Sequence, residues 1–162
     1  TPALFRRYRK AADFAAADLG ELEKAIQSTG FFRNKARNIK ACCQLLVEKH
    51  QGQPPKTLEE LVELPGVARK TANVVLGNAY GLPGLPVDTH VGRLAVRLGL
   101  TRHANPVKVE SDLTALLPPE EWAIFSHRLI FHGRQVCAAR KPLCSQCILA
   151  DLCPKAGVVK PG

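Results

Sequence analysis

Apolar side chains recur at three- and four-residue intervals along most of the chain, interrupted by Gly, Pro and short polar turns. No useful length alternates apolar with polar positions, as a half-buried strand would. The pattern predicts an all-α chain of short helices. TPALFRRYRKAADFA is amphipathic, and DLGELEKAIQSTG opens beside a capping Asp18 and stops at Gly30. FRNKARNIKACCQLLVEKHQG is a longer periodic run closed by His50, Gln51 and Gly52. In PPKTLEELVELPG, Thr57 and Glu60 have the spacing of a capping box. Helical patterns resume in ELPGVARKTANVVLG, VDTHVGRLAVRLGL, NPVKVESDLTALL and EEWAIFSHRLIFHGRQVC. Between the first two of these lies GLPGLP, residues 81–86, whose Gly and Pro exclude a helix interior. It predicts a boundary between one lobe at 1–82 and another at 83–162.

Composition narrows the function classes. With 162 residues and 46% hydrophobic content, the chain can fill one core or two small ones. No signal-like segment is present, and no apolar run approaches the ~20 residues that span a bilayer. The expectation is a soluble intracellular protein. A net charge of +9 favours a polyanionic partner, nucleic acid first, although a charged face is often only solvated. The chain has no Met, so Thr1 is not an untouched initiator, and the sequence is processed or part of a longer one.

The stretch ELPGVARK poses a local question, because cations are unfavourable at a helix N-terminus. The Pro65–Gly66 turn is expected to leave the backbone N–H groups of residues 66–69 without intrahelical partners. Pointed outward together they would grip a phosphate, with Arg69 facing it. An ordinary helix–turn–helix joint fits the same turn chemistry. At ~100° per residue, positions 67, 71, 72, 74, 75, 78 and 79 form an apolar arc with Lys70 at its edge, beside Asn73 and Gly77. Partial burial, the helix dipole and Arg69 each disfavour a second positive charge there, which makes Lys70 a candidate amine nucleophile. A lysine snorkelling to the surface is the plain alternative. Asp88 precedes a helical run and reads as an N-cap, a role that also fixes a carboxylate in place. His90 reads as support for that turn or as a DNA contact, and His127 and His132 as packed or hydrogen-bonded side chains.

Six cysteines in such a chain argue against disulfides. Cys42 and Cys43 sit in an apolar helical run and read as core. Cys137, Cys144, Cys147 and Cys153 are spaced C-x6-C-x2-C-x5-C, which implies a metal centre. Structural zinc sites usually pair two short Cys-x-x-C knuckles, and only one is present. Four thiolates also suit a [4Fe–4S] cluster. Composition alone leaves both metals open.

LPGVARKTANVVLG followed by VDTH, with HGRQVC and the cysteine spacing, resembles the endonuclease III family of helix–hairpin–helix DNA glycosylases, from about Thr1 to Cys153. The resemblance implies two helical lobes around a DNA-binding cleft, with Lys70 and Asp88 as the active pair. It implies a DNA-gripping hairpin at Pro65, Gly66, Val67, Ala68 and Arg69. It also implies a [4Fe–4S] cluster on the four cysteines, holding Arg140 and Lys141 of AARKPL toward phosphates. Relatives that excise bases without an amine nucleophile carry another residue at the Lys70 position. The implied activity is therefore that of a bifunctional glycosylase and abasic-site lyase. It would act as a monomer on oxidised pyrimidines or abasic sites in duplex DNA, at the nucleoid of a bacterial cytoplasm. The alternatives are a non-catalytic DNA-binding module or a monofunctional glycosylase.

Two departures from the family pattern stand out. Ala68 replaces a Gly, so its Cβ is expected to hold a phosphate slightly farther away. The family's N-terminal region, with a helix bordering the DNA gap and a Gln filling the flipped base's place, has no equivalent before Thr1. If the molecule begins there, part of one lobe is expected to be missing. A fainter pattern is internal: Gly30, Ala36 and Ile39 repeat the spacing of Gly66, Ala72 and Val75, as two related hairpins would.

Overall fold

The computed structural model describes residues 1–159. The chain divides into two compact units, Thr1–Arg69 and Lys70–Gly162. Among the described residues there are helices and turns but no strand, in keeping with the all-α expectation. None of the described helices is long and apolar enough to cross a membrane.

The first unit runs through α1 (Pro2–Arg7), α2 (Ala11–Ala16), α3 (Leu19–Ile26), α4 (Phe32–His50) and α5 (Leu58–Val62). The amphipathic stretch at the start is broken in two because Tyr8 and Lys10 take extended conformations. Asp13 makes the break possible: its Oδ2 accepts from the Arg9 and Lys10 N–H groups at 2.8 and 3.1 Å. Asp18 and Thr57 cap α3 and α5 as expected, accepting from Glu21 N–H and Glu60 N–H at 2.9 and 3.3 Å. The Thr57 hydroxyl in turn bonds Glu60 Oε2 at 2.5 Å. Gln51 and Gly52 close α4 with positive φ, and Gly52 N–H reaches back to Leu46 O at 2.8 Å. Tyr8, Ala17, Leu22, Ile26 and Ala36 form the core of this unit, where α2 packs on α4. Cys42 and Cys43 of α4 are half-buried, lining a shallow pocket with Asn38, Pro65 and Gly66 rather than the core expected for them. Burial raises both thiols, Cys43 to about 11 with a further push from Cys42, so they behave as packing groups.

The second unit holds α6 (Arg69–Tyr80), α7 (Thr89–Arg97), α8 (Pro106–Leu116) and α9 (Trp122–Gln135). Val91, Leu94 and Ala95 put the buried stripe of α7 at i, i+3 and i+4. They pack against Leu85, Val87, Val109, Leu113 and Leu129. Fully burying a leucine such as Leu94 or Leu113 stabilises the unit by about 2–3 kcal/mol. The buried positions of α6 are Ala72, Asn73 and Leu76, with Thr71, Asn78 and Ala79 exposed. The inward face is therefore rotated from the arc expected around residues 71 and 75, and it carries an amide. The reason is the non-helical strap of residues 81–88, whose Gly84, Leu85, Pro86 and Val87 are buried in the same unit.

Candidate functional site

The turn between α5 and α6 is closed by Leu64 N–H on Leu61 O at 3.2 Å and Val67 N–H on Leu64 O at 3.0 Å. Val67 N–H is thus engaged within the turn, which removes it from the donors open to an anion. Gly66 has φ +77°, and a Cβ there would stand 2.8 Å from Cβ of Asn38 on α4. Both the backbone and the neighbour demand glycine. Ala68 needs no such freedom: its φ is not positive, and the turn tolerates it. Arg69 and Lys70 follow, both exposed, where partial burial of Lys70 was expected.

Lys70 and Asp88 line one open cavity of ≈ 720 Å³ in the second unit, with Thr89, Gly92, Arg93 and Ala156 among its walls. Asp88 is half-buried, and its Oδ1 accepts from His90 N–H at 2.8 Å and Val91 N–H at 2.9 Å. The cap and the cavity wall are thus one carboxylate. His90 serves the turn: its Nδ1 lies 3.2 Å from Arg93 Nη2. That Nη2 also donates to Gly133 O and Cys137 O, each at 2.9 Å. Burial and neighbouring Arg97 lower the Arg93 pKa, while Cys137 and Asp88 oppose the shift.

Cys137, Cys144, Cys147 and Cys153 border a second, small cavity walled by Leu94, Val136, Pro142 and Ala150. Arg97, His132 and Lys155 line it too and no carboxylate does, so four soft sulfurs dominate the donor set, suited to zinc or an iron–sulfur cluster. Arg97 organises this loop from α7. Its Nη1 donates to Cys137 Sγ at 3.2 Å and Ala138 O at 2.8 Å, and its Nη2 to Ala139 O at 2.8 Å. Cys153 Sγ–H donates to Arg97 O at 3.3 Å, and His132 Nε2 lies 3.4 Å from Cys147 Sγ. N–H···S contacts such as that of Arg97 on Cys137 are the usual means of tuning metal-bound thiolates. Arg140 and Lys141 stand exposed in the same loop.

Sequence reasoning missed Phe31. It is 89% exposed, has φ +48°, and sits between Gly30 (φ +64°) and Arg33 at the start of α4. A non-glycine residue in the left-handed region costs roughly 1–2 kcal/mol, and an aromatic held outward at that cost points to a contact made there. Only the Gly30–Gly66 spacing hinted at this loop, and both glycines do have positive φ ahead of a basic helix start.

The chain matches two family models. That of the HhH-GPD superfamily base excision DNA repair protein covers residues 1–119, and the iron–sulfur binding domain of endonuclease III covers residues 137–153. It is 57% identical to endonuclease III of Synechocystis sp. over 96% of this chain and 72% of that one. It is 44% identical to endonuclease III of Bacillus subtilis over 99% and 76%. A solved structure of a trapped covalent endonuclease III–DNA intermediate superposes with a TM-score of 0.91 at 47% identity, covering 95% of this chain and 73% of that one.

Proposed function

The chain belongs to the endonuclease III family within the HhH-GPD superfamily, and from that premise we propose how its residues divide the work. It is a base excision repair DNA glycosylase with abasic-site lyase activity, and it carries a [4Fe–4S] cluster. Enzymatic activity sets aside a purely DNA-binding module. A relative trapped covalently on DNA supports the amine route over a monofunctional one.

Lys70 is the nucleophile. Its Nζ bonds C1′ of the damaged nucleotide as the N-glycosidic bond breaks and the base leaves with the bonding electrons. Opening of the C1′–O4′ bond, with a proton going to O4′, leaves an imine. Loss of a C2′ proton then expels the 3′ phosphate by β-elimination. Asp88 stabilises the positive charge that develops on the sugar and accepts the proton that the amine gives up. The observation that carries this reading is that both side chains line one cavity. That cavity is open enough for an extruded nucleotide.

Pro65, Gly66, Val67, Ala68 and Arg69 form the hairpin that holds a DNA phosphate, and Phe31 meets bases from the neighbouring glycine turn of the first unit. Cys137, Cys144, Cys147 and Cys153 ligate the cluster, which supplies a rigid anchor for its loop. Arg140 and Lys141 then contact phosphates electrostatically. The substrates are oxidised pyrimidines and abasic sites in duplex DNA, bound by a monomer at the bacterial nucleoid. Borohydride trapping on an abasic duplex tests the assignment: the wild-type protein is captured covalently and Lys70→Ala is not. Undiminished capture of that variant would overturn it.

A further inference from the structure

Lys70 and Asp88 belong to different elements, yet attack and charge stabilisation require them at a fixed separation. Asn73 and the Gly84–Leu85 pair stand where that separation is set. Asn73 lies three residues beyond Lys70 on α6, and Leu85 three residues ahead of Asp88 on the strap. Asn73 is only 3% exposed, and its Nδ2 donates to Leu85 O at 3.3 Å. Its neighbours Ala72, Leu76 and Leu85 are buried too, so the surroundings are apolar. An amide buried there is unfavourable unless paired, and a leucine would fill a similar volume. What the amide adds is direction. Apolar packing alone would let the strap slide along α6, whereas a donor aimed at one carbonyl fixes the register.

Gly84 completes the contact. A Cβ on it would lie 2.7 Å from Asn73 O and 3.3 Å from Asn73 Cα, a backbone-on-backbone approach open to glycine alone. A further bond, Leu82 N–H to Leu76 O at 3.0 Å, holds the far end of the strap to the same helix.

We infer that Asn73 is a positioning residue which, through Leu85 O and the close seat of Gly84, sets the distance between Lys70 and Asp88. The inference rests on the assignment of those two residues as the catalytic pair. Loss of the lock shifts the carboxylate while leaving the amine in place. A misplacement on the order of 1 Å at a reacting centre costs up to about 10²-fold in rate. The loss is uneven across the two reactions. Base excision needs charge stabilisation at the sugar, whereas an abasic aldehyde reacts with an amine far more readily.

The test compares Asn73→Asp, Asn73→Ala and Gly84→Ala with wild type, Lys70→Ala and Asp88→Asn, all as cluster-loaded protein. Asn73→Asp keeps the side-chain shape but faces an acceptor with an acceptor. Three readouts are taken: single-turnover excision of an oxidised pyrimidine, borohydride trapping on an abasic duplex, and affinity for a duplex with an uncleavable abasic analogue. The expected result is excision reduced at least about tenfold, with trapping and affinity within about threefold of wild type and cluster absorbance intact. Excision within twofold of wild type in both Asn73 variants overturns the lock, as does an equal fall in all three readouts. Loss of cluster absorbance or of a cooperative melt in every lock variant also overturns it, since a positioning contact leaves the fold intact. Persistent trapping by Lys70→Ala instead sinks the underlying catalytic assignment, so the two failures are told apart.

Discussion

Substituting Asp88 separates two jobs carried by one carboxylate. Its Oδ1 takes the N–H groups of both His90 and Val91, so alanine leaves two donors in the first turn of α7 unpaired. Losing such a cap costs about 1–2 kcal/mol. For a chain of this size each kcal/mol moves Tm by about 2–4 °C, so Asp88→Ala should melt about 2–8 °C below wild type. Asparagine keeps an acceptor at Oδ1 and caps nearly as well; it forfeits only the attraction between a negative charge and the helix dipole, about 0.3–1 kcal/mol. The chemistry ranks the variants differently. Both lose the charge that faces the sugar, and removal of a catalytic acid or base typically costs about 10²–10⁴ in rate. Asp88→Asn should therefore be nearly as stable as wild type and nearly as inactive as Asp88→Ala. Thermal melts followed by far-UV circular dichroism, paired with single-turnover excision, measure both. If asparagine destabilises as much as alanine, the cap does not work through Oδ1. If it excises within tenfold of wild type, the carboxylate is dispensable and the cavity has been misread.

Other expectations follow from single contacts. Gly66→Ala sets a methyl 2.8 Å from Asn38 Cβ in a positive-φ backbone, so it should weaken duplex affinity at least about tenfold and lower Tm; a titration by fluorescence anisotropy checks it. Phe31→Ala removes an exposed ring and relieves no buried contact, so Tm should hold within a degree or two while affinity for damaged duplex falls about five- to fiftyfold, as loss of base stacking does. The Cys43 thiol is raised from 9.0 to about 11, so its contribution to stability is full below 9.0 and is lost as pH rises through about 11. Cys43→Ala should accordingly flatten the alkaline fall in Tm across that window.

What could be read in the sequence is what depends on near neighbours. Asp18, Thr57 and Asp88 are caps because a short polar side chain reaches its own helix start, and the end of α4 at Gln51–Gly52 has the same local cause. The cysteine spacing is also local, although spacing alone could not separate zinc from a cluster; that takes the match to the iron–sulfur binding domain of endonuclease III. The missed residues share a different character. Asn73 looked like a boundary position on an apolar arc because the strap that buries it is brought in by the tertiary fold. Arg97 drew no reading from the sequence, because its carbonyl and thiol partners lie about forty residues away in the chain. Phe31 drew no reading either, because nothing local announces a left-handed backbone at a phenylalanine.

The loop after α9 shows why four cysteines are spent on it. From Val136 to Val159 the chain forms one short 3₁₀ turn, at Cys144–Gln146, and otherwise no helix. Some of its larger apolar side chains point outward, Ile148 at 92% and Leu152 at 83% exposed, while Pro142 is buried and Val136, Leu149 and Val158 are half-buried. Fixing each backbone residue costs roughly 1–2 kcal/mol of conformational entropy, and a segment that buries only part of its apolar surface recovers little of that through the hydrophobic effect. The Arg97 guanidinium holds the first residues of the loop, around Cys137 to Ala139, and the later part has sparser ties, from Cys147 to His132 and from Cys153 and Ala156 to Arg97 O. On the proposed assignment, ligation by Cys144, Cys147 and Cys153 adds the main constraint there, as metal sites do in other segments without a core. Removing the cluster should then leave α6 to α8 folded with Lys70 and Asp88 in place, while the cavity loses its Ala156 wall and Arg140 and Lys141 lose their fixed positions. Abasic-site trapping in the apo-protein at low salt should persist, with a shallower dependence of DNA affinity on salt concentration, and a protein that melts entirely on losing iron would refute this division of labour.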